Sequence, residues 1–120
     1  MDGKYMGIEK RVENIIFQID SKKGEVIEVF NLENIDYIAK RVILTTSLST
    51  KHTLSLAYHL KDELKKVGEK ILYLDEGEDW VVLDLGDIVV HIMSLEYRQK
   101  YSIEEFLTEL TKEQNGNVKE

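Results

Sequence analysis

Apolar residues recur every three or four positions in three segments of the chain, and this spacing predicts amphipathic helices. The first segment lies within the first twenty residues and ends at Lys22-Lys23-Gly24, where cations and a glycine favour a helix C-terminus. The second begins at Ser49 or Thr50 as the cap and ends at Gly68, and the third begins at the capping-box pattern Ser102-Ile103-Glu104-Glu105. Their apolar stripes are, in order, Ile8, Val12, Ile15, Ile16 and Ile19; Leu54, Ala57, Leu60, Leu64 and Val67; and Ile103, Phe106, Leu107 and Leu110.

Short runs rich in β-branched residues lie between these helices and predict strands. The first three strands are predicted at 25–30, 42–46 and 71–74, with a polar connection over 31–36. Two further β-prone runs follow the acidic segment Asp75–Asp79, and an irregular segment then leads to the last helix. The order helix, strand, strand, helix, strand, strand, strand, helix predicts an α/β fold, a single five-stranded mixed sheet packed with helices.

The segment from Asp79 to Met93 is the most informative part of the chain. Its centre, Gly86-Asp87, suits a two-residue hairpin turn, because only glycine enters the first position of a type II′ turn at low cost. Pairing around this turn places Leu83 opposite Val90, and side-chain alternation then gives the hairpin two faces. The aliphatic face carries Val81, Leu83, Leu85, Ile88, Val90 and Ile92, and the mixed face carries Trp80, Val82, Asp84, Val89, His91 and Met93.

Trp80 is the residue of the mixed face that most favours a functional interpretation. A lone tryptophan is more often part of a core, but this one lies opposite the Leu83 face and beside the acidic segment. Desolvating an indole of ~200 Å² contributes on the order of 5 kcal/mol, enough to anchor an interface. For His91 we expect a structural hydrogen bond with a neighbouring aspartate rather than a role in proton transfer.

Charge is distributed unevenly along the 120 residues, whose net charge is −7. Residues 71–97 contain seven acids and neither lysine nor arginine. Such a field favours a basic protein partner and disfavours phosphate backbones. The absence of cysteine excludes disulfides and thiolate zinc sites. We expect a single domain over residues 1–110, a disordered tail over 111–120, and a cytoplasmic location, because neither a signal peptide nor a membrane-spanning run is present.

Enzymatic chemistry has weak support in the sequence. Asp84, Asp87 and Asp75 could hold a divalent cation, but aspartates in turns are common for backbone reasons alone. Phosphate-binding loops, nucleophile elbows and His-Glu-x-x-His helices are absent. We therefore expect no cofactor, no metal and no enzymatic activity, and keep a metal-dependent nucleotidyltransferase-like enzyme that uses Asp84 and Asp87 as the alternative.

The hairpin and the segment after it resemble the signature of the ribosomal silencing factor (Iojap) family. The hairpin reads Trp80-Val-Val-Leu-Asp-Leu-Gly-Asp-Ile-Val-Val-His-Ile, and Glu96-x-Arg-x-x-Tyr101 follows before the final helix. Ser49-Thr50-Lys51-His52 and Ile38-Ala39 are similar to other family positions. The resemblance covers roughly residues 8–110 and implies a fold related to nucleotidyltransferases, without the catalytic signature of that class.

The resemblance also implies a function. Family members bind large-subunit ribosomal protein number fourteen at the face that meets the small subunit, and they block subunit joining sterically to repress translation when nutrients are scarce. Trp80 is implied as the anchor, with Asp84 and Asp87 as partners for lysine or arginine. A homodimer that uses Trp80 and Met93 is a further possibility. The expected partner-binding residues are Trp80, Val82, Asp84, Asp87, Val89, His91 and Met93.

Overall fold

The computed structural model describes residues 7–119 except Asp36 and Ile38, and describes side chains as far as residue 112. The predicted connection over 31–36 and the Ile38-Ala39 resemblance therefore fall partly outside the described residues. The described elements are α1 (Ile8–Ser21), β1 (Glu25–Asn31), β2 (Arg41–Ser47), α2 (Thr50–Lys66), β3 (Tyr73–Asp75), β4 (Trp80–Asp84), β5 (Ile88–Ser94), α3 (Leu95–Tyr101) and α4 (Ile103–Lys119). Of the helices described, none combines the length and the apolar character needed to cross a bilayer.

The strands form one mixed sheet in the order β1-β2-β5-β4-β3. β2 and β5 pair in parallel, and the remaining neighbours pair antiparallel. The predicted fold class, a single five-stranded mixed sheet packed with helices, is confirmed. β3 begins two residues later than predicted and contains three residues, so this edge of the sheet is short.

The hairpin has the register that the sequence predicts. Leu83 lies opposite Val90, and the Leu85 amide donates to the Ile88 carbonyl at 2.9 Å. Gly86 has a φ of +95°, in the left-handed region that favours glycine. The two faces of the hairpin are therefore the two that alternation predicts.

The aliphatic face of the hairpin packs under α1 and α2. All six of its side chains are buried there, together with Ile43 of β2. On α2 the buried stripe includes Thr53 and Leu56, whereas the predicted Leu54 and Val67 are only partly buried. The stripe is thus rotated slightly from the prediction, but α2 covers the sheet as expected. The core under α1 and α2 contains Val12, Ile15, Ile19, Ile43, Leu56, Ala57, Leu60, Leu64, Val81, Leu83, Leu85, Ile88, Val90 and Ile92.

The opposite face of the sheet is covered only in part. α4 packs against β1, and its Leu107 joins a second cluster with Val42, Leu44 and Val89. The part formed by β3, β4 and one residue of β5 is covered least: the Tyr101 ring of α3 lies 5.4 Å from that of Trp80 and Val82 borders the second cluster, but all of its side chains keep partial or full exposure. We call this part the open half-face; it consists of Tyr73, Asp75, Trp80, Val82, Asp84 and His91.

The segment after β5 differs most from the sequence prediction. It forms the short helix α3, which buries only Arg98 and therefore has no apolar stripe that periodicity could detect. Ser102 has a φ of +47° and its hydroxyl donates to the Gln99 carbonyl, so the predicted capping box does not form. α4 continues beyond residue 110 to Lys119, where the sequence places a tail. The domain limit at residue 110 stays a prediction.

Candidate protein-binding surface

Trp80, a member of the open half-face, lies at the centre of an aromatic cluster. Its indole N–H donates to Nδ1 of His91 at 3.0 Å, and its ring centroid lies 5.4 Å from that of Tyr101. Tyr97 continues the cluster, with its ring centroid 5.4 Å from that of Tyr101. These contacts fix the orientation of the indole, which stays only partly buried. An oriented and accessible aromatic ring loses little conformational freedom when it meets a partner.

His91 serves this cluster as a neutral acceptor. Because Nδ1 accepts the hydrogen bond from the indole N–H, the neutral imidazole carries its own proton on Nε2. Burial lowers the pKa of His91 to about 4. The structural hydrogen bond expected for His91 is therefore present, but its partner is Trp80 and not an aspartate.

Arg98 holds α3 in place against the sheet. Its guanidinium donates to the Val26 carbonyl at 2.7 Å and to the Thr46 hydroxyl at 2.9 Å. It also pairs with Glu104 of α4 at 2.9 Å and with Glu28 of β1. The arginine in the family-like Glu-x-Arg-x-x-Tyr pattern thus joins two strands and two helices.

The same short helix presents Tyr101, which the family-like Glu-x-Arg-x-x-Tyr pattern contains but to which the sequence analysis assigns no role. It lies on α3 and is 47% exposed. Tyr73 of β3 is 60% exposed and shares the face of Asp84, its register partner. Strand parity around Leu74 could have placed Tyr73 on this face, whereas nothing in the periodicity pointed to Tyr101.

The two hairpin aspartates have different roles. Asp84 Oδ1 accepts the Gly86 amide at 2.7 Å, and the side chain stays partly exposed on the open half-face. Asp87 instead binds Arg11 of α1 through both carboxylate oxygens, at 2.6 and 2.9 Å. Arg11 lowers the pKa of Asp87, chiefly through this hydrogen bonding, and also binds Glu69. Asp87 is therefore engaged within the fold, contrary to its expected role as a contact for a partner's cation.

Two other residues expected to face the partner are covered by the protein itself. Val89 is 7% exposed and lies in the cluster that contains Leu107 of α4. Met93 is fully buried, on the strand against which α3 packs. The expectation that Val89 and Met93 offer surface is wrong, because α3 and α4 cover the β5 side of the mixed face.

Negative charge surrounds the part of this face that is left open. Of the seven acids in 71–97, only Asp87 forms a salt bridge within the part of the chain whose side chains are described. The others are Asp75, Glu76, Glu78, Asp79, Asp84 and Glu96. Lys100 places one cation beside the aromatic cluster, with its Nζ 5.5 Å from the Tyr101 ring centroid. The six carboxylates outnumber this cation, and an excess of negative charge attracts basic surfaces.

A metal site has no support in this geometry. Within residues 7–112, outside the two omitted positions, no group of three or more histidine, aspartate or glutamate side chains is arranged to hold an ion. Asp84 and Asp87, the proposed pair of the nucleotidyltransferase alternative, bind different partners on the protein itself. The surface combines aromatic rings, a short aliphatic floor and free carboxylates, which are the components of a protein contact.

Comparison with known proteins identifies the family to which the chain is similar. The family model described as "Ribosomal silencing factor during starvation" matches residues 6–120. A ribosomal silencing factor of Haemophilus influenzae is 33% identical over 96 residues, which are 78% of this chain and 93% of that protein. Another from Halalkalibacterium halodurans is 30% identical over 101 residues, which are 82% of this chain and 86% of that protein.

A solved structure is similar to this chain in fold and, more weakly, in sequence. The crystal structure of a protein from Chromobacterium violaceum superposes with a TM-score of 0.82 at 28% identity, covering 86% of this chain and 88% of that one. The family match spans the hairpin, the short helix α3 and the aromatic cluster. The chain therefore belongs to the family of ribosomal silencing factors that act during starvation.

Proposed function

We propose that this protein binds a basic protein of the large ribosomal subunit through the open half-face and thereby blocks the joining of the two subunits. The resemblance stated above implies ribosomal protein number fourteen as that partner. The observation that carries the proposal is the position of Trp80, an oriented indole that stays partly exposed on the open half-face although Tyr101 of α3 packs against it. The residues proposed for the contact are Trp80, Val82, Asp84 and His91 of the predicted set, together with Tyr73 and Tyr101.

Physical chemistry favours a basic protein over RNA at this surface. Six carboxylates of 71–97 have no salt-bridge partner among the described side chains, so a phosphate backbone would be repelled. A lysine or arginine near Asp84 would gain an ion pair at the rim, while the indole of Trp80 would supply apolar contact at the centre. Rim charges of this kind mainly increase the association rate and fix the orientation of the partner.

The mechanism that we propose is occlusion. A bound domain with extents of 46 × 37 × 22 Å occupies a large area of any surface on which it sits. If that surface is where the small subunit docks, joining is prevented without any covalent step. The nucleotidyltransferase alternative gains no support, because Arg11 already neutralises one of its two proposed metal ligands.

Replacement of Trp80 tests the contact directly. Trp80→Ala should weaken binding to purified large subunits by ~2–4 kcal/mol, the range for a central aromatic anchor. Trp80→Phe keeps a ring but loses the N–H donated to His91, and we expect it to bind with intermediate affinity. Circular dichroism and thermal melting should show both variants folded. A variant that unfolds would show instead that Trp80 belongs to the core.

Occlusion itself requires a separate measurement. Tagged protein should retain free large subunits from cytosol and should not retain assembled ribosomes. Added in excess to purified subunits, it should reduce the assembled fraction in a sucrose gradient, and Trp80→Ala should restore that fraction. Equal retention of large subunits and assembled ribosomes would contradict occlusion while leaving the contact surface intact.

A further inference from the structure

Phe106 of α4 is exposed although the sequence predicts it in a buried stripe. Ile103, Leu107 and Leu110 of that stripe pack against the second cluster as predicted. Phe106 itself is 54% exposed. The exposed ring of Phe106 is therefore accessible to a partner, and its position relative to the open half-face decides whether it can share the contact of Trp80.

The direction in which Phe106 points follows from its neighbour Glu104. Glu104 binds Arg98, which also contacts Val26 and Glu28 of β1, so Glu104 is turned toward the β1 edge of the sheet. Phe106 follows two residues later, about 200° further round the helix. It therefore lies on the other side of the buried stripe from Glu104, the side of α4 that faces away from β1 and toward the open half-face.

The charge next to Phe106 matches that of the open half-face. Glu105 and Glu109 are exposed on α4, and neither forms a salt bridge with any described side chain. The negative potential around Trp80 thus continues onto this helix. An exposed aromatic ring near carboxylates that form no salt bridge is the same combination that Trp80 and Asp84 present on β4.

We propose that Phe106 is a second aromatic anchor for the basic protein that Trp80 binds, so that the contact surface extends from the sheet onto α4. This inference rests on the proposed function, since its occupant is the same basic partner. Two features favour that occupant: the free carboxylates complement a basic surface, and Phe106 is turned toward the surface that contains Trp80. Two anchors on different elements would fix the orientation of the partner better than one.

Phe17 of α1 provides a matched control. It is also a helical phenylalanine, is 66% exposed, and belongs to the helix that covers the other face of the sheet. Single exposed aromatic residues are common and need no function. The comparison between Phe106 and Phe17 therefore separates a role in binding from exposure alone.

The experiment measures binding of Phe106→Ala, Phe106→Lys, Phe17→Ala and Trp80→Ala to purified large subunits, with thermal melting of each variant. We expect Phe106→Ala to bind about tenfold more weakly. Phe106→Lys should bind more weakly still, because it places a cation against a basic partner. Phe17→Ala should bind within about twofold of the unsubstituted protein.

The possible failures can be told apart. Unchanged binding by Phe106→Ala and Phe106→Lys, with weakened binding by Trp80→Ala, would overturn the second anchor and leave the proposed function standing. Unchanged binding by all four variants would overturn the proposed contact itself. If Phe106→Ala lost a concentration-dependent dimer in sedimentation but kept its affinity for subunits, the occupant would be a second copy of the chain, and the inference would be wrong. Unfolding of both Phe106 variants would also overturn it, because Phe106 would then belong to the core.

Discussion

The two faces of the β4–β5 hairpin share one backbone and differ completely in what covers them. On the face toward α1 and α2, all six side chains are buried. On the opposite face Val89 and Met93 are buried, whereas Trp80, Val82 and Asp84 remain partly exposed. The comparison teaches that strand alternation defines a face, and that the placement of helices decides which part of the face is available to a partner.

Adjacent valines on the two faces test this difference most strongly. Val81 is fully buried in the core under α1 and α2, and Val82 is partly exposed on the open half-face. Val81→Ala should lower the free energy of unfolding by about 2–3 kcal/mol through lost burial and a cavity, and Val82→Ala by less than about 1 kcal/mol. Urea unfolding followed by circular dichroism measures both values.

Binding should show the opposite order for the same pair. Val82→Ala should weaken the affinity for large subunits, while folded Val81→Ala should keep it. Equal losses of stability in the two variants would mean that Val82 is as well packed as Val81, and the distinction between the faces would fail.

The pH dependence of stability tests the mixed face through His91. Its pKa falls from 6.5 to about 4 on folding, so the unfolded chain binds more protons between these values. The contribution of neutral His91 to the free energy of unfolding should therefore be fully present above pH 6.5. It should decrease as the pH falls toward 4, by about 2 kcal/mol between pH 7 and pH 5. Unfolding curves at several pH values measure this loss.

His91→Gln supplies the control for that titration. In this variant the free energy of unfolding should no longer depend on pH between 6.5 and 4. It should still decrease below pH 3.8, where protonation of Asp87, whose pKa is lowered in the folded protein, destabilises the fold. The fluorescence of Trp80, the only tryptophan of the chain, should report protonation of His91 in the folded protein. A variant with the same slope as the parent protein would show that His91 is not the titrating group.

The two hairpin aspartates give the smallest expected effect on stability. Asp87→Asn weakens the paired hydrogen bonds to Arg11 and should cost about 1 kcal/mol, a modest value because the Asp87 side chain is 35% exposed. Asp84→Asn keeps an oxygen that can accept the Gly86 amide, so its stability should change little. Only Asp84→Asn should reduce the association rate with large subunits at low salt, as stopped-flow mixing would show. A larger rate effect for Asp87→Asn would return Asp87 to the contact surface.

Local rules explain the parts of the molecule that could be predicted. Gly86 at the turn fixed the register of the hairpin, and the register fixed the membership of both faces. Ser49 capped α2 as expected, with its hydroxyl accepting the His52 amide at 3.0 Å. Each of these features depends on residues within a few positions of one another, where the sequence carries the whole signal.

The errors share a different cause. α3 has no apolar stripe, because its one buried residue is an arginine whose partners lie on β1, β2 and α4. The sequence predicts Asp87 to be a surface carboxylate, because its partner Arg11 is 76 positions away in the chain. The sequence predicts Phe106 in the buried stripe, because helical periodicity gives the angle of a side chain but not the edge at which the neighbouring sheet ends.

The sequence alone determined the order of the elements, the hairpin with its two faces, and a negative charge concentrated around Trp80, since alternation, turn chemistry and composition are local properties. Only the tertiary structure decided that α3 and α4 bury Val89 and Met93, that Arg11 forms a salt bridge with Asp87, and that Tyr101 packs against the indole of Trp80. Those outcomes depend on how far each helix extends across the sheet, which is set by packing among residues far apart in the chain. The family of the protein could be recognised from the hairpin, but the extent of its contact surface depends on the helices around it.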